Sequence, residues 1–333
     1  MKAFVTGATG KLGSNLVLAL LSQGWQVKAL ARSKDKAQKI LGNTHAEIVI
    51  GDMENVAGFA PALQGVDVVF HTAAYFREYF DVGDHWKTLQ KINIDAVIEL
   101  MNEAQANGVK KFIHTSSSGV LGGKGKGHAS DESTTPGKTA HDNMYFKSKV
   151  RCEQAINEWL QTNTMPVIMI LPTVMIGPRD SGPTAIGEAI LQISKGKFPA
   201  VPPGGFEFVD SRDVALAMIA AADKGKSGER YITSESFHTM NEMAQSVAIA
   251  AKARKPMLRL TPIMAYAVAY MSEFAARLTG SKPMLPVAGV QAMVNEQHVS
   301  AAKAVRELGF KARPFSVSIT DEVAWYREAG YLG

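Results

Sequence analysis

The sequence predicts an α/β fold: a doubly wound parallel sheet with helices on both faces, followed by a smaller, mainly helical C-terminal lobe. Three observations predict it. A strand-like run, Ala3-Phe4-Val5, ends in a turn with glycine at 7, 10 and 13, and the apolar helical pattern Leu12, Leu16, Leu20, Leu21 follows. Short β-branched runs then recur at 26–31, 47–50, 68–71, 111–115 and 167–171, separated by helical stretches such as 86–106 and 143–160. Beyond Pro172 the pattern changes to Pro- and Gly-rich loops between shorter helices, ending in helical stretches at 300–308 and 318–329.

These 333 residues are enough for two units. The expected division is a nucleotide-binding domain over 1–172, with 206–235 returning to it, and a substrate-binding lobe over 173–205 and 236–333.

The first turn suits a dinucleotide phosphate. Gly7 permits the tight turn, Gly10 lets backbone approach a pyrophosphate, and Gly13 lets the helix close on the strand, while the free N–H groups of the helix start face the anion. Thr6 and Thr9 add hydroxyls. At the end of the second strand an acid would bind the ribose of NAD, whereas Arg32, with Lys36 nearby, suits a 2′-phosphate. NADP(H) is therefore the expected cofactor, with NAD(H) an alternative. Asp52 ends the third strand, where its carboxylate can accept from the adenine amino group and Met53 can pack on the ring.

Composition narrows the function classes. With 46% hydrophobic and 20% charged residues the chain reads as soluble and globular, and its net charge of +5 is scattered, without the basic stripe and exposed aromatics of a nucleic-acid binder. The lone Cys152 excludes an intramolecular disulfide and points to a reducing, cytoplasmic setting. No secretory leader is expected at the N-terminus, whose apolar part belongs to the first strand. Ser272 and Glu273 interrupt the apolar stretch 263–270, which suits a packed helix rather than a bilayer span, so no membrane partner is expected. None of the eight histidines recurs at i+3 or i+4, so no metal site is expected, and His71 and His114 read as strand-end hydrogen-bonders.

The chemistry converges on the fifth strand and the helix after its loop. Ser116, Ser117 and Ser118 follow Thr115 at the strand end, and Tyr145 is the one tyrosine of eight with a lysine four residues later, Lys149, on the same helix face. A phenol titrates near pH ~10, and a neighbouring ammonium draws that value down. Tyr145 is thus suited to protonate a carbonyl oxygen while Ser117 hydrogen-bonds it.

These motifs resemble the extended short-chain dehydrogenases/reductases along essentially the whole chain. Thr6 to Gly13 resembles the family's TGxxGxxG, Tyr145 to Lys149 its YxxxK, and Ser117 its catalytic serine. The resemblance implies a Rossmann-type domain in which Gly7, Thr9, Gly10, Lys11, Leu12, Gly13, Ala73, Thr115 and Pro172 border the cofactor. Lys149 then also holds the nicotinamide ribose, and Thr173 lies on the nicotinamide-side turn. Asn93 matches a structural asparagine, and 208–215 resembles a late strand-to-helix segment. The family also implies a homodimer through the helix of Tyr145 and its predecessor.

Departures select the branch. Dehydratases of the family place an Asp-Glu pair where this chain has Ser118 and Gly119, and many nucleotide-sugar epimerases place a diphosphate-gripping Arg where it has Phe206, although Arg179 is available nearby. Tyr75, Phe76, Tyr79 and Phe80 follow the fourth strand at the ligand edge and suggest an apolar substrate, with Tyr75, Ser117, Tyr145 and Thr173 as its contacts. Met257, Met264, Met271 and Met284 read as core. The expectation is an NADP-dependent reductase of a ketone or aldehyde on a hydrophobic or aromatic small molecule, resembling the dihydroflavonol reductase and aldehyde reductase branch. Its rivals are an NAD-dependent nucleotide-sugar epimerase and a dinucleotide-sensing regulator without chemistry.

Overall fold

The computed structural model describes residues 1–76, 84–125, 127–255, 258–279, 283 and 285–332. Of the residues singled out in the sequence, Tyr79, Phe80, Met257 and Met284 lie outside them.

The chain begins by alternation: β1 (Lys2–Thr6), α1 (Lys11–Ser22), β2 (Gln26–Ala31), α2 (Lys34–Leu41), β3 (Glu47–Ile50) and β4 (Val68–His71). The stretch 86–106 is one helical run with a π-helical turn inside it: α3 (Trp86–Gln90), the π turn Lys91–Asp95, and α4 (Ala96–Ala106). Next come β5 (Lys111–Thr115), a short α5 (Lys138–Asp142), α6 (Met144–Leu160) and β6 (Val167–Pro172). The rest comprises β7 (Val174–Ile176), α7 (Ala185–Ser194), β8 (Ala200–Val201), β9 (Gly205–Asp210), α8 (Ser211–Lys224), β10 (Arg230–Thr233), β11 (Ser236–Thr239) and α9 (Met240–Ala251). β12 (Leu258–Arg259), α10 (Pro262–Thr279), α11 (Val287–Val294), α12 (Ala302–Leu308) and α13 (Phe315–Glu328) complete it.

A seven-stranded parallel sheet has the order β10-β6-β5-β4-β1-β2-β3. The central strands bury both faces, as a continuous apolar run requires, while the edge strand β3 is half-exposed. Ala3, Val5, Val68, Phe70, Ile168 and Ile170 face one core with α1 and α8, while Phe4, Val69, Val167, Met169 and Leu171 face another with α4 and α6. Connection order reverses between β1 and β4, so the ligand crevice of such a sheet opens at their carboxyl ends.

The return to this sheet is made by α8 and β10, whereas β9 belongs to a separate three-stranded sheet, β11-β9-β7. That sheet shares a third core with α7, α9 and α13, containing Phe208, Met243, Phe315 and Tyr326. Ala304 and Leu308 of α12 pack back on the core of the first sheet.

Asp210 caps α8, and Lys11 ties the first helix to α13. The Asp210 carboxylate accepts from the Arg212 backbone N–H at 2.8 Å and from its Nη2 at 2.7 Å. Burial works against its charge, but the Arg212 bonds outweigh that and hold it below the usual carboxylate range. Lys11 is buried, with Nζ 2.8 Å from Glu322 Oε1 of α13 and 3.3 Å from Asp180 Oδ2. Burial alone would lower its pKa, yet the two carboxylates outweigh burial and raise it. The remaining bonds of the carboxylates are satisfied: Gly177 N donates to Glu322 Oε2 at 2.8 Å, and Thr184 and the Tyr326 hydroxyl donate to Asp180.

Candidate active site

The glycine turn has the shape its sequence requires. Gly7 has φ +66°, and a methyl group there would stand 2.7 Å from Ala73 N on the loop after β4. A methyl at Gly13 would overlap the Gly7 carbonyl, so only glycine lets α1 start this close to the turn. Gly10 is exposed, is the N-cap of α1, and has no side-chain cap. The first N–H groups of α1 are thus left for an outside acceptor. Thr6 Oγ1 accepts from Ala73 N at 3.3 Å and meets His71 Nδ1 at 2.8 Å, fixing the β4 loop against the turn. This cradle fits a dinucleotide diphosphate.

Other expected cofactor contacts divide. Arg32 is exposed at the carboxyl end of β2, and Ser33 beside it caps α2 by accepting from Lys36 N. Asp52 is half-buried at the end of β3, its Oδ1 accepting from Glu54 N at 3.1 Å. Met53 is 6% exposed inside the core with Phe4 and Leu30, so its side chain packs on protein rather than offering a ring platform. Lys11 also departs from expectation. Its ammonium is committed to Glu322 and Asp180 and is not available to a cofactor phosphate.

Asn143 places Tyr145. Its side chain accepts from Phe146 N at 3.1 Å and caps α6, which sets Tyr145 and Lys149 in the first turns on one face. Both are buried, and Lys149 Nζ lies 5.9 Å from the Tyr145 ring centre. Lys149 donates to the Thr115 carbonyl at 2.8 Å, pinning α6 to the end of β5, and burial lowers its pKa. Ser117 follows that strand end. Its Oγ accepts from Gly119 N at 3.2 Å, which leaves its O–H to donate. Gly119 is required here, because a methyl group would overlap the Phe146 ring.

Several supports are not evident from the sequence motifs. Glu153, one turn beyond Lys149, is buried, binds Ser116 Oγ and pairs with Arg230 at 3.1 Å. Burial raises its pKa against the pull of these partners. Its signal was the i+4 spacing from Lys149. Asn93 sits in the π turn, accepts from Tyr75 N at 2.8 Å and donates to Ser148 Oγ at 3.1 Å, and that hydroxyl donates to the Tyr145 carbonyl at 2.7 Å. One buried amide therefore holds both the Tyr75 loop and the Tyr145 helix.

Tyr75 and Phe76 reach Tyr145. The Phe76 ring meets Tyr145 edge-on at 4.8 Å, and Tyr75, His85, Leu89, Asp142, Asn143 and Met144 join Tyr145 around a cavity of about 150 Å³. A larger cavity of about 670 Å³ lies by the edge strand β10 among Asp131, Glu132, Arg230 and Lys303, away from Ser117, Tyr145 and Lys149. The smaller one is the cavity that Tyr145 lines.

Pro172 ends β6, paired with Thr233. The Thr173 hydroxyl donates to the Thr233 carbonyl at 3.3 Å, a structural bond that engages the group expected to meet substrate. Arg179 does not substitute for a diphosphate grip: it has φ +73° and its Nη2 donates to the Ile40 carbonyl at 2.6 Å. His71 and His114 stack at 5.4 Å between the cores, and His114 Nε2 lies 3.7 Å from the buried Cys152 Sγ. Among the described residues no group of three or more metal-ligating side chains occurs.

The fold and this site define a nicotinamide-dependent oxidoreductase of the short-chain dehydrogenase/reductase type. Residues 3–233 match the model of the NAD dependent epimerase/dehydratase family, and the chain belongs to that family. It is 31% identical to sterol demethylase protein B of Methylococcus capsulatus, with all of both chains covered. It is 30% identical to a putative dihydroflavonol 4-reductase of Synechocystis, over 99% of this chain and 95% of that one. The crystal structure of gox2253 superposes with a TM-score of 0.83 at 32% identity, covering 99% of each chain.

Proposed function

We propose that the protein reduces a ketone or aldehyde on a bulky apolar molecule to the alcohol, with NADP(H) as the preferred cofactor. The observation that carries this reading is the aromatic wall of Tyr75 and Phe76 set directly against Tyr145. It offers an apolar carbonyl compound a surface beside the proton donor. The names of the two relatives, a sterol enzyme and a putative dihydroflavonol reductase, fit substrates of that shape.

The nicotinamide, when bound, supplies the hydride to the carbonyl carbon. The Ser117 O–H donates a hydrogen bond to the carbonyl oxygen, and Tyr145 delivers its phenolic proton to that oxygen, completing the alcohol. Lys149, held by the Thr115 carbonyl, keeps a positive charge beside the phenol and is the group to hold the nicotinamide ribose. Arg32, exposed at the end of β2, is the group for a 2′-phosphate. The second unit supplies the remaining walls of the substrate site. The single, buried Cys152 suits a reducing, cytoplasmic setting.

The epimerase reading is weaker, because Arg179 is engaged with Ile40 and Phe206 packs beside Phe208. The expected homodimer through α4 and α6 would bring together faces that expose Glu99, Asn102, Arg151, Gln154 and Glu158 with Ala106. The test is steady-state oxidation of NADPH and NADH with aromatic and alicyclic ketones and with UDP-sugars. Carbonyl-dependent NADPH oxidation supports the proposal, and turnover of a UDP-sugar without net oxidation contradicts it.

A further inference from the structure

Helix α10 has its large apolar side chains on the outside. Its packed face is made of Ala265, Ala269 and Ala276, whereas Ile263, Tyr270, Met271, Phe274 and Leu278 are between 63% and 83% exposed. At 100° per residue these five fall on one side of the helix, opposite the alanines. The stretch 263–270 is part of a packed helix, as the sequence suggests, but it packs through its alanines. Met264 and Met271, expected in the core, are exposed instead. Folding alone does not call for such a stripe, and a contiguous exposed apolar surface of this kind marks an interaction site.

Charge identifies the occupant. The segment leading into the helix carries Lys252, Arg254, Lys255 and Arg259, all exposed, and Arg277 is exposed near its C-terminus. The one acid between 252 and 295 is Glu273, and its carboxylate is turned inward to accept from Val287 N at 2.9 Å. Leu258, also exposed, extends the apolar surface toward the basic segment. Pairing this face with a second copy would set basic segments in one another's field with no exposed acid from 252–295 to offset them. An apolar stripe bordered by cations, with no exposed acid within 252–295, instead matches a phospholipid surface: hydrocarbon beneath, anionic headgroups at the rim.

We propose that α10 docks the protein peripherally on an anionic phospholipid membrane, lying in the interface with Ile263, Tyr270, Met271, Phe274 and Leu278 facing the acyl chains. No helix among the described residues is long and apolar enough to span a bilayer, so the attachment is to one leaflet. The proposal rests on α10 and its basic approach and does not depend on the reductase reading.

The test is co-sedimentation of the full chain with vesicles of phosphatidylcholine mixed with phosphatidylglycerol, against phosphatidylcholine alone, at low and raised salt. The expected result is binding to the mixed vesicles that weakens with salt. Phe274→Ser with Leu278→Ser should weaken it about tenfold or more. Arg254→Gln with Lys255→Gln should weaken it about 25-fold, or about fivefold per charge. Thermal unfolding should be unchanged in both variants, since the altered side chains are exposed. Failure to bind the mixed vesicles, or binding that survives the Phe274/Leu278 change, overturns the proposal. So does a dimer, seen by analytical ultracentrifugation, that Phe274→Ser dissociates while vesicles are ignored, because the occupant is then a second copy.

Discussion

Replacing Lys11 by Met should destabilise the protein severely, although the residue sits in a motif usually associated with the cofactor. The ammonium lies 2.8 Å from Glu322 and 3.3 Å from Asp180, with all three side chains at most 5% exposed. At an effective dielectric of about 20, each contact has a gross attraction of about 5 to 6 kcal/mol. Most of that is offset by the desolvation of the three charges, so the pair is not worth its Coulomb energy. Removing only the cation is a different matter, because it strands two buried carboxylates, and such truncations cost about 3 to 5 kcal/mol. Methionine fills similar volume, so the loss is electrostatic rather than a cavity. The assay is urea unfolding followed by circular dichroism. With an m-value of roughly 3 kcal/mol/M the midpoint should fall by about 1 M or more. Lys11→Met with Glu322→Leu should recover over half of the loss, since Asp180 keeps its bonds from Thr184 and Tyr326. A midpoint unchanged in Lys11→Met, or a double variant weaker than the single, would refute the clamp.

Three further outcomes follow from named contacts. Tyr145→Phe should lower kcat by about 10² to 10⁴, while NADPH binding measured by fluorescence stays within about threefold, because the lost group is a proton donor. Arg32→Asp should weaken NADPH binding by roughly tenfold or more, through loss of a charge-assisted bond, and should leave NADH binding nearly unchanged in the same titration. Stability should fall in acid through His71, whose buried ring is held neutral with its pKa lowered to about 3. A folded pKa below the unfolded one gives stability that is full above pH ~6.5 and is lost as pH falls toward about 3. At pH 5 this one group costs about 2 kcal/mol relative to pH 7.5, and urea midpoints at the two pH values should differ less in His71→Asn.

What the sequence made legible was local. The strands at 26–31, 68–71 and 111–115 are found where short apolar runs put them, because each is largely buried, and 47–50 forms the half-exposed edge strand beside them. The glycine turn was readable for the same reason: Gly13 answers to neighbours within a few residues, and Gly7 to the loop after the adjoining strand. Tyr145 and Lys149 were readable because four residues on a helix fix a shared face.

Polar partners far apart in the chain were not readable. Lys11 finds Glu322 across more than three hundred residues, and Arg179 turns to the Ile40 carbonyl instead of the substrate side. The Thr173 hydroxyl is taken by Thr233, and Met53, beside a plausible adenine position, is claimed by the core. Composition also misplaced the methionines of α10, Met264 and Met271, which are exposed. A run of apolar residues looks the same in sequence whether alanines or the larger side chains face inward, and only the packing against α11 and the C-terminal core separates the two.

The central claim is carbonyl reduction with the proton from Tyr145, and isotope transfer tests it most directly. NADPH carrying deuterium at nicotinamide C4 should be incubated with a bulky aromatic or alicyclic ketone and the protein, and the product examined by mass spectrometry. The account predicts an alcohol with one deuterium on the carbinol carbon for each NADPH oxidised, from one face of the nicotinamide, and almost none with Tyr145→Phe. Label that stays on the cofactor while a UDP-sugar is converted to its epimer would contradict it, as would deuterated alcohol formed equally well by Tyr145→Phe.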